Sequence, residues 1–268
     1  MMLQNKNAVI YGAAGSLGGA VARAFAKGGA RVFVTGRHLS KVKKLAEEII
    51  AGGGHAVAAQ VDAMDKQAIN SHLDEVVAQA GSVDISFNAV GLESVQDIPL
   101  TEMKLEDFLR PVHIAMTTQF LTATAAARIM IKQASGVILS LTATPGGVAY
   151  PYVGGFGPAC CAIESFSRDL AAEVGPHGVR VINMRSAGSP DSRVFQEAVA
   201  GSQGELAKAV IQKLANDTML KKLPLIDDIA NVALFLSSGM AGKITGVTID
   251  VTSGTSGINH KTTAIPFK

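Results

Sequence analysis

Short runs rich in β-branched residues alternate along the chain with stretches whose apolar residues recur every three or four positions. The runs are Asn7–Tyr11, Arg31–Thr35, Ala56–Val61, Val83–Phe87, Val137–Leu141, Val179–Asn183 and Val247–Val251. Each is short and bounded by Gly, Asp or a helical period, which marks strands covered on both faces. Between them, Leu17, Ala20, Val21, Ala24 and Phe25 share one helical face, as do Val42, Leu45, Ala46 and Ile49, and again Ile69, Leu73, Val76, Val77 and Ala80. These are amphipathic helices that pack on a sheet. Two longer helices are predicted at Leu105–Ile131 and Phe156–Val174, the second with Ala159, Ala162 and Ile163 on a small-residue face. The alternation predicts an α/β fold, a doubly wound three-layer sandwich around a seven-stranded parallel sheet. One domain accounts for residues 1–268, with a lid-like excursion at about 186–216, where Ser, Gly and Asp precede a helical run from Leu206 to Leu214.

Composition narrows the function classes. With 268 residues and 48% hydrophobic positions the chain can bury a sizeable core. Twenty-four Lys and Arg stand against 22 Asp and Glu, a net charge of +2, with no block of like charge, so no nucleic-acid or anionic-membrane surface is expected. The two cysteines, Cys160 and Cys161, are neighbours, which rules out a disulfide scaffold and suits a reducing cytosol. The start MMLQNKN has no basic region or cleavage site of a secretory leader. The apolar stretch Ile114–Ile131 is broken by Thr117, Thr118, Gln119 and Arg128 and reads as a buried helix. A soluble cytoplasmic protein is expected. The six histidines, at 38, 55, 72, 113, 177 and 260, have no ligand spacing, so no metal is expected.

Candidate chemistry begins at the first strand end. Ala8-Val-Ile-Tyr11 runs into Gly12-Ala-Ala-Gly15-Ser-Leu-Gly18 and a helix follows at once. Glycines there permit a tight turn and let helix N–H groups meet a pyrophosphate. Alone, such a turn also serves any tight strand-to-helix connection. The second strand adds to it, ending Val34-Thr-Gly36-Arg37, where an acidic residue would hold an NAD ribose hydroxyl and an Arg an NADP phosphate. Gly36 and Arg37 favour NADP(H), against the plainer reading of Arg37 as a solvated cation.

Ordered landmarks over about residues 5 to 254 extend this. Val61-Asp62, Asp84-Ile-Ser-Phe-Asn88-Ala-Val-Gly91, Leu170-Ala-Ala-Glu173, Pro176-His-Gly-Val-Arg-Val181 and Ile244-Thr-Gly246-Val-Thr-Ile-Asp250 follow one another in the chain. In these the sequence resembles the short-chain dehydrogenase/reductase family, whose fold is Rossmann-type. The resemblance implies that Gly12, Gly15, Ser16, Leu17, Gly18, Arg37, Asp62, Asn88 and Gly91 line a dinucleotide cleft, with Ser192 at the nicotinamide carboxamide. Ser16 stands in place of the family's usual middle glycine.

The resemblance also implies a catalytic set that this chain lacks. The family reduces carbonyls with a Tyr proton donor, a Lys that lowers the Tyr pKa, a Ser that orients the substrate oxygen and an Asn that holds a relay water. Counting from Leu170-Ala-Ala-Glu173 places Phe156 at the Tyr position and Cys160 at the Lys position, while the flanking segments place Ala143 at the Ser and Ala115 at the Asn position. Phe carries no ionisable proton, and a thiol with an ordinary pKa of about 8.5 is no fixed cation. Tyr152 is the first candidate for a substitute donor, with Tyr150, Thr142 and Thr144 nearby; the competing reading of the two tyrosines is a packing wall. His113, two positions before Ala115, faces elsewhere, and Cys160 in Ala-Cys-Cys-Ala reads as a packing residue. Two functions remain open. One is an NADP(H)-dependent oxidoreductase acting on a substrate that needs little proton assistance; the other is a dinucleotide-binding sensor or structural subunit without turnover. In either case the resemblance and the two long helices imply a homo-oligomer, a dimer or tetramer.

Overall fold

The computed structural model describes residues 1–202 and 204–255. Residues 256–268, with His260, lie outside them, as does Gln203. Seven strands, β1 (Asn7–Tyr11), β2 (Arg31–Gly36), β3 (His55–Gln60), β4 (Ile85–Asn88), β5 (Gly136–Ala143), β6 (Val179–Ser186) and β7 (Val247–Val251), form one sheet in the order β3-β2-β1-β4-β5-β6-β7. Every pairing is parallel. β1 explains why both faces are covered. Ala8 and Ile10 enter the core beneath α1 (Ser16–Lys27), α2 (Leu39–Ala51) and the helix at Ile226–Ser237, while Val9 and Tyr11 enter the core beneath α3 (Lys66–Ala80), α4 (Leu105–Gln133) and α5 (Phe156–Val174). A strand buried on both sides needs apolar residues at consecutive positions, and all five residues of β1 are buried. α4 is long and apolar enough to cross a membrane by composition, yet half of its apolar window is buried in this fold, packed on α3, α5 and the sheet.

The structure departs from the sequence pattern at three places. β5 runs two residues and β6 three beyond their expected ends, because the parallel ladder continues through Thr142 and Arg185, polar residues that are satisfied by Asn183 and by Glu164 and Asp250 respectively. The excursion after β6 holds two helices, α6 (Arg193–Ala200) and α7 (Gly204–Asn216), and neither has a buried residue. α8 (Ile226–Ser237), absent from the expected elements, covers the sheet beside α1 and is held at its start by Asp191, whose carboxylate accepts from Ile226 N–H at 3.1 Å.

His72 on α3 is 6% exposed, meets the Phe33 ring edge-on at 6.4 Å between centroids, and has an Nδ1 without a protein partner. Burial lowers its pKa below the ordinary 6.5, with Glu75 opposing in part. The folded state therefore holds His72 neutral while the unfolded chain takes up a proton below pH 6.5, so stability is lost as pH falls through that value. His72→Leu is expected to flatten the fall in urea midpoint between pH 7 and pH 5 relative to wild type, measured by fluorescence or circular dichroism at each pH.

Candidate active site at the carboxyl edge of the sheet

The expected site residues gather where a doubly wound sheet binds ligands, in the crevice outside the carboxyl ends of its strands. Gly12 follows β1 with φ +71, and a Cβ there would stand 2.7 Å from the Ala89 carbonyl oxygen, so only glycine fits between the first turn and the end of β4. Ala13 N–H donates to Thr35 O at 3.0 Å and Ala89 N–H to Tyr11 O at 3.0 Å, tying the turn to both neighbours. α1 then begins at Ser16 behind Gly15, with no side-chain cap and no acidic residue in its first turn. Its leading N–H groups and the positive end of its dipole thus meet no carboxylate from the helix's own cap or first turn, as an anion seat requires. The residues present fit a dinucleotide pyrophosphate.

Two ties cross this crevice. Arg37 directly follows β2, and its Nη2 donates to Oε1 of Glu93, in the loop after β4, at 2.9 Å. Ser16 Oγ accepts from the backbone N–H of Arg193, the first residue of α6, at 3.1 Å, so α6 is tied to the Gly-rich turn. The hydroxyl that replaces the expected glycine therefore has a partner in the fold. Asp62 is exposed after β3 and its Oδ1 accepts from Met64 N–H at 2.9 Å. Asn88 is buried at the end of β4; its Oδ1 accepts from Val90 N–H and its Nδ2 donates to Thr122 Oγ1, so it shapes the loop. Gly91 has open space around it. Ser192 precedes α6 without using its hydroxyl as a cap.

The four residues that the sequence comparison set at catalytic positions, Ala115, Ala143, Phe156 and Cys160, lie on α4, at the end of β5 and on the first turns of α5. Ala115 is fully buried in a cluster with Ala159 and Ile163, against Leu92, Val112 and Met116. Cys160 is fully buried, and burial pushes its thiol up to about 11, a hydrogen bond with the Ala143 backbone offsetting part of the rise. That bond places the Ser and Lys positions in contact. Phe156 opens α5, half-buried. Tyr152 is 54% exposed, in the left-handed region at φ +64, with its carbonyl accepting from Asp97 N–H at 2.8 Å. Thr142, counted among hydroxyls for the cleft mouth, instead donates inward to Glu164 Oε1 at 2.9 Å. His113 is exposed, as its helical position predicts.

A family model described as enoyl-(acyl carrier protein) reductase matches residues 12–256. Momilactone A synthase of Oryza sativa subsp. japonica is 30% identical over 261 residues, covering 96% of this chain and 92% of that protein. The chain belongs to the short-chain dehydrogenase/reductase family, a family of oxidoreductases. Among solved structures, an NAD+-bound xylitol dehydrogenase superposes with TM-score 0.87 at 23% identity, covering 95% of this chain and all of that one. A gluconate 5-dehydrogenase from Burkholderia cenocepacia in complex with NADP and tartrate superposes with TM-score 0.86 at 22% identity, covering 96% and 97%. At these identities the two structures carry the fold.

This short-chain dehydrogenase/reductase holds a buried polar network one helical turn after Cys160 on α5. Glu164 lies four residues after Cys160 and is 5% exposed. Arg185 on β6 grips it with two bonds, Nε to Oε1 at 3.0 Å and Nη2 to Oε2 at 2.5 Å, and reaches Asp250 Oδ1 with Nη1 at 2.9 Å. Glu164, then Asp250, hold Arg185 more firmly protonated than usual. Thr142, Asn183, Ser140 and Ser167 continue the network, each bond between 2.8 and 2.9 Å. Gly146, in the turn after β5, must lack a side chain because a Cβ there would strike Glu164 Oε1. The network thus sets the loop that follows β5. No pattern in the sequence joined these residues, although a charged pair on two otherwise buried elements is the available signal.

Removing one partner leaves a charge desolvated and unpaired. Arg185→Ala is expected to cost about 3 kcal/mol of stability, and Glu164→Leu with Arg185→Met together much less than the sum of the single changes, read from a double-mutant cycle in urea.

Proposed function

We propose that the protein is an NADP(H)-binding oxidoreductase acting on a small molecule whose reduction needs little proton assistance from the protein. The observation that carries this is the contrast between the two ends of one crevice. The pyrophosphate turn is complete, with an uncapped helix start and Arg37 at the 2′-phosphate position, while the nicotinamide end offers Ala115, Ala143, Phe156 and a neutral Cys160. A bound nicotinamide supplies or accepts the hydride. The chain's own part is to bind and orient: α1 with its leading N–H groups, Arg37 with the 2′-phosphate, the loop held by Asn88 against the adenosine, and the helix Arg193–Ala200, tied to Ser16, over the bound dinucleotide. An alkoxide left by ordinary carbonyl reduction has no donor at these positions, whereas a carbanion delocalised onto an electron-withdrawing group can take its proton from solvent. The fully buried cluster at Ala115 is the one observation that favours a second reading, a dinucleotide-binding sensor or structural subunit. A cytoplasmic homo-oligomer, joined through α4 and α5 where the exposed Phe120 stacks on Phe166 at 6.2 Å, fits either.

Calorimetric titration is expected to give NADPH about tenfold tighter binding than NADH, a charge-assisted contact worth roughly 1.5 kcal/mol, and Arg37→Asp to reverse the order. Equal affinities in the wild type remove the NADP(H) assignment.

Wild-type turnover of simple ketones and aldehydes is expected to be at least about 10²-fold below that of the combined variant Ala115→Asn, Ala143→Ser, Phe156→Tyr and Cys160→Lys, with NADPH oxidation followed at 340 nm. Brisk wild-type reduction of such carbonyls contradicts the proposed mechanism.

A further inference from the structure

The ion pair between Arg37 and Glu93 stands where a dinucleotide's 2′-substituent belongs. β2 and β4 flank β1 in the sheet, so a contact from the residue after β2 to the loop after β4 arches over the end of β1 and its Gly-rich turn. Both side chains are more than half exposed, 63% for Arg37 and 54% for Glu93, so the pair is open to an incoming anion. The segments that carry it are held from below. Gln60 Nε2 donates to the Arg37 carbonyl at 3.1 Å, and Asn88 Oδ1 anchors Val90 at the start of the other loop. Glu93 itself sits at φ +46, in the left-handed region that a residue with a side chain seldom occupies. A loop conformation of that kind delivers a carboxylate onto the one cation that recognises a phosphate.

We propose that Glu93 is a specificity-determining residue, an internal competitor that occupies Arg37 in place of the 2′-phosphate. The proposal rests on the NADP(H) reading above and deepens it. A 2′-phosphate must break the Arg37–Glu93 bond and then lie beside the displaced carboxylate, two costs that a 2′-hydroxyl does not meet. The hydroxyl can instead donate to Glu93, the role that an acidic residue at the end of β2 plays in NAD-binding sheets. Glu93 thus lowers affinity for the phosphorylated dinucleotide and supports the unphosphorylated one, so it narrows the preference that Arg37 creates.

The test is calorimetric titration of wild type, Glu93→Gln, Arg37→Ala and the double variant with adenosine 2′,5′-bisphosphate and adenosine 5′-monophosphate at low salt. Glu93→Gln is expected to bind the bisphosphate about threefold tighter, as loss of an exposed competing ion pair predicts, and the monophosphate no tighter than wild type. The gain should vanish in the Arg37→Ala background and shrink as salt is raised. An unchanged bisphosphate affinity in Glu93→Gln, or an equal gain for both probes, overturns the role of Glu93 while leaving Arg37 in place if Arg37→Ala still abolishes the wild-type preference for the bisphosphate. If Arg37→Ala leaves that preference intact, or neither probe binds, the Arg37 reading fails and the proposal with it. Matching thermal melts of wild type and Glu93→Gln exclude a folding effect.

Discussion

A parallel sheet covered on both faces leaves a chain few places for polar chemistry. Ala8 and Ile10 go into one core and Val9 and Tyr11 into the other, so nothing along the middle of β1 can meet a ligand. Functional groups therefore collect at the carboxyl ends of the strands, where β1, β2, β3 and β4 give way to Gly12, Arg37, Asp62 and the loop beyond Asn88. The close approach of Gly12 to the Ala89 carbonyl oxygen holds that edge together, because it sets the start of α1 against the end of β4.

The part of the same edge formed by α4, β5 and α5 is apolar. Cys160 meets the Ala143 backbone, and the space around Ala115 is filled with aliphatic groups. One helical turn away, Glu164 and Arg185 form a buried pair in which each charge has several partners. Such a pair is costly to desolvate and does little for net stability, but it fixes geometry firmly, since any partial loss leaves a charge stranded. Here it fixes the turn at Gly146.

The crevice is also spanned at two points, by Arg37 with Glu93 and by Ser16 with α6 at Arg193. Both ties engage residues that the dinucleotide would need. Binding is then an exchange of protein contacts for ligand contacts, and the weaker, solvent-exposed tie is the one that can tune selectivity.

Much of this was legible in the chain. The strands at Asn7–Tyr11 and Val247–Val251 and the helix Phe156–Val174 have the predicted bounds, because covered strands and amphipathic helices impose local periods that need no knowledge of the partner. The Gly-rich turn and Arg37 were readable for the same reason, since their chemistry depends on neighbours in sequence. Where polar residues interrupted the period, at Thr142 and at Arg185, the strands were expected to stop, and only bonds made across the fold, with Asn183 and with Glu164 and Asp250, explain why they continue. α8 escaped notice although its apolar residues are dense, because what orders it is packing on α1, some two hundred residues earlier in the chain. The pairs that define the site join residues 21, 56 and 177 positions apart: Glu164 to Arg185, Arg37 to Glu93, and Ser16 to Arg193. A linear pattern carries which groups are charged or apolar and how often they recur, whereas the neighbour that neutralises a charge is chosen by how the sheet brings strand ends together. That choice tied Ser16 to α6, turned Thr142 inward and gave Arg37 a carboxylate.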